Sequence, residues 1–186
     1  PSYRLILDGL KKDRVQDNKT IKILKSINLE ARKGEFITFY GPNGCGKTTI
    51  LNIISGLVDA DSGSVTINEQ DIERDTIGYV YQDYRKTLMP WKKIIDNISF
   101  ALKLKRLPKE IRDKEVRDLC QLLDIKLNLG SYTHQLSGGQ QQLVAILSAI
   151  IDKPEILLLD EPFSAIDFQK TTLLQEKIIE IWQKLG

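Results

Sequence analysis

Apolar positions change their spacing several times along the chain, and each change marks an element. Residues 2–8 (SYRLILD) predict an edge strand, and the polar, charged residues 11–20 read as a solvated turn between strands. Residues 21–31 (IKILKSINLEA) alternate apolar and polar side chains, as a strand with one buried face does. After a turn at 32–34, residues 35–40 (EFITFY) are apolar, β-branched and aromatic enough to predict a buried strand. A short helical run at 48–55 stops at Gly56. A turn at 59–63 and strands at 64–68 and 77–81 (IGYVY) follow. Beyond the loop at 82–91, which ends after Pro90, the spacing becomes helical, with Ile94, Ile98, Ala101 and Leu102 apolar. Pro108 opens a second helix carrying Ile111, Val116, Leu119, Leu122 and Leu123, residues 128–132 are irregular, and Ser137 caps a third helix to about residue 151. Residues 155–160 (EILLLD) return to strand. Consecutive apolar residues ending in an acid suggest a central parallel strand whose carboxyl end opens on a ligand crevice. Residues 169–185 form an amphipathic helix with Leu174, Ile178, Ile181 and Leu185 on one face.

The sequence therefore predicts an α/β fold with a mixed sheet, an antiparallel β edge subdomain and an inserted α-helical subdomain. Residues 1–90 and 152–186 form the core and residues 91–151 the helical insertion. A chain of 186 residues suits one domain. A formal charge of +2 is too small to imply nucleic acid. The two cysteines, Cys45 and Cys120, do not resemble a disulfide framework, which points to a reducing compartment. No apolar run approaches membrane-spanning length, and no signal peptide is recognisable. The chain starts at Pro1 and ends straight after a helical pattern, so both ends read as cut from a longer protein.

Candidate chemistry concentrates in three places. Residues 41–49 read GPNGCGKTT, a phosphate-binding loop (P-loop) between a predicted strand and a predicted helix. Gly41, Pro42, Asn43, Gly44, Cys45 and Gly46 supply a backbone that approaches oxygens closely, and the new helix adds its positive end. Lys47 is placed to neutralise β- and γ-phosphates, Thr48 to bind Mg²⁺ through its hydroxyl, and Thr49 continues the helix start. The second place is Asp160 and Glu161 after the apolar strand. Asp160 is a candidate for holding Mg²⁺ and Glu161 for polarising a water in line with the γ-phosphate, although two acids there also suit a solvated strand end. The third is Leu136-Ser137-Gly138-Gly139-Gln140. Ser137 and Gln140 are spaced for a capping box. A cap does not require two glycines in the first turn, where they weaken a helix; close approach of an anion does. This is a second candidate phosphate site.

In this order the P-loop, the LSGGQ run and the LLLDEP run resemble an ATP-binding cassette (ABC) ATPase over nearly the whole chain. The resemblance implies ATP and Mg²⁺ as ligands and a homodimer in which Ser137, Gly138, Gly139 and Gln140 face the ATP of the other cassette. It further implies that Gln82 contacts Mg²⁺ and the attacking water, that Thr48, Gln82 and Asp160 serve the ion, and that Ser164 and Asp167 belong to a loop crossing the dimer interface. Transmembrane permease subunits are the implied partners, with a substrate-binding protein indirectly and no nucleic acid. The implied location is peripheral, on the cytoplasmic face of the inner membrane.

Cys45 inside the P-loop and the Leu88-Met89-Pro90-Trp91 run resemble importer cassettes for nitrate, sulfonate, taurine and related small anions. Tyr84, Leu88, Met89 and Trp91, read as exposed, are candidates for the permease contact. The pattern departs from the family in three respects. Residues 11–17 hold no aromatic to stack on adenine, and Arg14 or Val15 falls nearest. Gln141-Gln142-Leu143 and Leu147-Ser148 stand where basic and small residues are usual. A switch histidine is expected on a strand beyond the last helix, and His134 is a loop residue rather than that histidine. Without that segment the expectation is nucleotide binding with weak or absent hydrolysis. The alternatives are an exporter cassette, a non-hydrolysing nucleotide-sensing module, a translation factor with two cassettes, and a chromosome-maintenance or DNA-repair ATPase. The short separation of Gln82 from Ser137 disfavours the last, which needs room for a long coiled coil.

Overall fold

Two long strands pair at the start of the chain. The computed structural model describes residues 4–16, 19–68, 70–71, 76–163 and 168–185, in two compact units, Pro1–Thr76 and Ile77–Gly186. In the first unit β1 (Arg4–Gln16) and β2 (Lys19–Arg32) run antiparallel, with Leu7 opposite Leu29 and Leu10 opposite Ile27. With β3 (Ser62–Ile67) and β4 (Gln70–Asp71) they form a sheet of order β2-β1-β3-β4. The apolar face buries Leu5, Leu7, Leu10, Leu24 and Ile67.

Three expectations are corrected here. β1 is an interior strand, not an edge, because β3 pairs along its other side. Residues 11–16 and 19–20 are strand rather than turn. Their polarity is satisfied in place: Lys12 Nζ and the Asp13 N–H donate to the Asp61 carboxylate at 2.7 and 2.6 Å, and the Asp61 N–H donates to Lys11 O at 2.9 Å. Residues 35–40 form no regular strand, and Phe36 and Tyr40 are 50% and 100% exposed. Apolar composition makes a strand only where a sheet edge offers its N–H and C=O groups in register, and the ladders of the described residues pair without this segment.

In the second unit β5 (Ile77–Val80) and β6 (Ile156–Leu159) pair in parallel, from Ile77 opposite Ile156 to Val80 opposite Leu159. The strand at 156–159 is parallel as read, β5 is its neighbour among the described residues, and Leu157 and Leu159 are half-buried. Besides α1 (Lys47–Ile54) of the first unit, helices form where the spacing predicts them: α2 (Ile94–Ile98), α3 (Phe100–Leu104), α4 (Lys109–Leu122) and α5 (Gly138–Ile150). Ile94, Ile98, Val116, Leu123, Ile146 and Leu147 are fully enclosed at the centre of the core. α5 lies so close to β5 that a Cβ on Gly78 would meet the Ala149 carbonyl oxygen at 2.5 Å.

The last helix, α6 (Phe168–Leu185), buries Leu174, Ile178 and Ile181 as its periodicity predicts. Leu185, assigned to the same face, is 46% exposed because the final turn runs past the core. Lys177 and Lys184 of this helix donate to Leu123 O and Leu122 O at 2.8 and 2.7 Å, satisfying carbonyls that the end of α4 leaves open.

Asn97 fixes the loop before α2. It is 3% exposed; its Oδ1 accepts from Met89 N at 2.8 Å, and its Nδ2 donates to the carbonyls of Met89, Lys92 and Lys93 at 3.1–3.2 Å. Asn97→Ala takes the side-chain partner from the Met89 N–H and Lys92 O, while Met89 O and Lys93 O keep the N–H groups of Lys92 and residue 97, and it is expected to cost about 2–4 kcal/mol, lowering the melting temperature by about 5–10 °C in a thermal unfolding scan.

Candidate nucleotide site

The P-loop lies in the first unit. Cys45 N donates to Pro42 O at 3.3 Å, closing the turn, and α1 (Lys47–Ile54) starts directly after it. Gly46 is the N-cap with φ 102°, in the left-handed region that disfavours side chains. A Cβ there would also sit 2.8 Å from Leu24 Cδ2. The helix start receives no side-chain cap, and its positive end faces the loop. Lys47 Nζ reaches back over the loop and donates to Gly41 O at 2.9 Å and Pro42 O at 3.2 Å. Thr48 and Cys45 are exposed on the same turn. The apolar side of α1 (Ile50, Leu51, Ile53, Ile54) is buried, which anchors the loop through the helix.

The acidic half lies in the second unit. Asp160 follows β6 and is 4% exposed, with its N–H donating to Val80 O at 2.9 Å. Burial, with the Asp160 carboxylate next in importance, pushes the Tyr79 phenol well above its ordinary value. Tyr79 therefore stays protonated and a donor throughout the neutral range. Glu161 stands at φ 44°, left-handed backbone that a glutamate rarely adopts. Gln82, just past β5, donates from Nε2 to Glu161 Oε2 at 2.7 Å. The parallel register of β5 and β6 is what brings Gln82 and Glu161 to the same end of the ladder.

The LSGGQ segment is in the same unit. A capping box forms as its spacing predicts: Gln140 N donates to Ser137 Oγ at 3.4 Å, and Ser137 N to Gln140 Oε1 at 3.0 Å. Leu147, which replaces a usual small residue, is fully buried and fills the core, while Ser148 Oγ bonds back to Val144 O at 2.8 Å. His134 is exposed in a 3-10 turn and stacks on Tyr132, as a loop residue does. Arg14 and Val15 are exposed near the end of β1. Ser164 and Asp167 lie outside the described residues. Tyr84 and Leu88, read as exposed, are 1% and 8% exposed and belong to the core. A loop rich in polar residues hid the inward turn at Tyr84–Lys86. Of that group only Trp91, 73% exposed, stands in solvent.

Mg²⁺ suits these donors. Among the described residues no group of three His, Cys, Asp or Glu could hold a metal alone, and each unit by itself offers hard-oxygen donors of the kind Mg²⁺ takes beside phosphate oxygens: the Thr48 hydroxyl in the first, the Gln82 amide and the buried Asp160 carboxylate in the second.

A glycine loop ahead of a helix, a buried acid after a parallel strand and a second helix capped by Ser137 with two glycines in its first turn are the features of a nucleotide-binding ATPase cassette. The family model for ABC transporters matches residues 24–164. An uncharacterized ABC transporter ATP-binding protein of Methanocaldococcus jannaschii, MJ0412, is 39% identical over 183 residues, 97% of this chain and 68% of that protein. The spermidine/putrescine import ATP-binding protein PotA of Vibrio vulnificus is 37% identical over 170 residues, 89% of this chain. The chain spans 45% of that relative's length. Among solved structures, the dimeric ABC transporter cassette MJ0796 aligns with a TM-score of 0.82 at 29% identity, covering 98% of this chain and 84% of that one. A second structure of MJ0796 is a post-hydrolysis state bound to ADP and Pi. CbiO1 of Clostridium perfringens, part of the ABC transporter complex CbiONQ, aligns with a TM-score of 0.85 at 26% identity, covering 100% of this chain and 76% of that one. The chain belongs to the ABC transporter family. It is an ATPase cassette of that family, with ATP its nucleotide and Mg²⁺ the accompanying ion.

Proposed function

We propose that the protein is the nucleotide-binding subunit of an ABC importer, in which two copies close on two ATP and reopen on hydrolysis. The observation that carries the reading is the Gln82–Glu161 hydrogen bond beside buried Asp160, which assembles a water-directing pair at the end of a strand ladder. Lys47 and the amides of residues 41–49 would hold the phosphates, and Thr48, Gln82 and Asp160 are the residues assigned to Mg²⁺, which when bound would supply positive charge to offset that of the phosphates. Glu161 takes the proton of the attacking water, and Gln82 orients that carboxylate. Ser137, Gly138 and Gly139 close on the γ-phosphate of the opposite cassette, and Ser164 and Asp167 are assigned to the interface. The solved dimer of MJ0796 supports the pairing, and CbiO1's place in a transporter complex supports permease partners.

No helix among the described residues is long and apolar enough to cross a membrane. The location proposed, from membership of the ABC transporter family, is peripheral on the cytoplasmic face, through the loop that Asn97 fixes and Trp91 crowns. Import is favoured over export by the relatives named for spermidine/putrescine import. The small-anion type rests on Cys45 and residues 88–91 alone. Leu88 is core, so packing explains one member of that run without any permease. The cargo is left to the membrane and binding subunits. The test is the ATPase rate of the full-length protein, alone and with the membrane subunits that co-purify with it. Several-fold stimulation by those subunits is expected; stimulation by ribosomes instead would establish the translation-factor alternative.

A further inference from the structure

The start of α5 leaves two backbone donors to be aimed. Gln140 N donates to Ser137 Oγ and Gln141 N to Ser137 O, while no described residue accepts from the N–H of Gly138 or Gly139. In a helix such leading N–H groups project from the N-terminal end. The capping box and the Gln141 N–H hold Ser137, and the two glycines add no side-chain contact of their own to the turn.

Tyr84 reaches it from inside. Its ring is 1% exposed within the core, and its hydroxyl donates to Gly138 O at 3.1 Å. A Cβ on Gly138 would stand 3.3 Å from that hydroxyl, so the approach is close. The Gly138–Gly139 peptide is planar and trans, which makes its C=O and N–H point in opposite directions. Holding the Gly138 carbonyl therefore sets the direction of the Gly139 N–H. Tyr84 is fixed in turn: its own carbonyl accepts from Thr87 N and Thr87 Oγ1 at 3.0 and 2.7 Å. Two residues before it stands Gln82, bonded to Glu161.

We propose that Tyr84 is a positioning residue: it aims the Gly139 N–H at the γ-phosphate held by the partner cassette. It also ties that half-site to the segment carrying the chain's own Gln82–Glu161 pair. The inference rests on the dimer reading above. A hydroxyl merely satisfied in the core would affect stability and nothing else.

The experiment uses the full-length protein with Glu161→Gln to stop turnover, with and without Tyr84→Phe, which keeps the ring. Sedimentation in ATP measures dimerisation, a fluorescent nucleotide at low protein concentration measures binding by the single cassette, and a thermal scan measures stability. Tyr84→Phe is expected to weaken ATP-dependent dimerisation by about 5-fold or more, the loss of one hydrogen bond. Nucleotide affinity of the single cassette is expected to hold, and the melting temperature to fall by no more than about 2–4 °C, the cost of one buried hydrogen bond. Unchanged dimerisation overturns the proposal, as does a loss matched by equal losses in single-cassette binding and melting temperature. A Glu161→Gln protein that stays monomeric in ATP overturns the dimer reading and this inference with it.

Discussion

Lys47→Ala in the full-length protein is expected to weaken ATP binding by about 100-fold or more, read by equilibrium titration with a fluorescent nucleotide. The ammonium is the one cation on the loop itself, and it already spans Gly41 O and Pro42 O at its mouth. Charge-assisted hydrogen bonds are about twice as strong as neutral ones, and a phosphate presents two or more acceptors to a lysine so placed. Alanine is a good helix former, so α1 keeps its first turn and the melting temperature is expected to move little. A chain that binds ATP equally well after the substitution would take the phosphate role away from Lys47. A chain that loses both binding and melting temperature would show that the lysine holds the loop together rather than the ligand.

Glu161→Gln acts at a different step. ATPase turnover of the full-length protein is expected to fall by about 100- to 1,000-fold, in the range that a positioned general base contributes. Affinity for ATP is expected to stay within about two-fold, because the amide keeps an oxygen for Gln82 Nε2 and removes only the basicity. The measurement is phosphate release at saturating ATP beside a binding titration. Equal turnover in the variant would move the base elsewhere. A parallel loss of binding would make Glu161 a ligand-holding group instead.

The helices of the insertion, the helix after the P-loop and the capping box at Ser137 were legible because each rests on local spacing that short stretches of sequence display. The P-loop was legible for a related reason: glycines, a lysine and a threonine at fixed offsets leave few other uses for that backbone. Sheet pairing was not legible. Residues 35–40 have the composition of a strand without a regular ladder, and residues 11–16 are strand despite their charges because Asp61, far along the chain, satisfies them. Tyr84 was misplaced for the same cause. Its position in a polar loop suggested exposure, and only the fold shows that the hydroxyl has a distant acceptor on Gly138. A tyrosine where phenylalanine would fill a core equally well was the one available signal. Asn97 likewise sits in an apolar helical repeat, where nothing nearby announces the loop carbonyls it serves.

The left-handed backbone at Glu161 bears on how this position persists. Asparagine or glycine would occupy that conformation with less strain, and the difference for a glutamate is about 1 kcal/mol or more. Selection for stability alone would drift toward those residues, since most of what keeps a sequence folded is indifferent to chemistry. Under the role proposed for it, the carboxylate is kept against that drift, and the site is a place where activity and robustness pull apart. A library screened only for thermal tolerance would therefore be drawn to replace Glu161, recovering sturdier chains that no longer turn over.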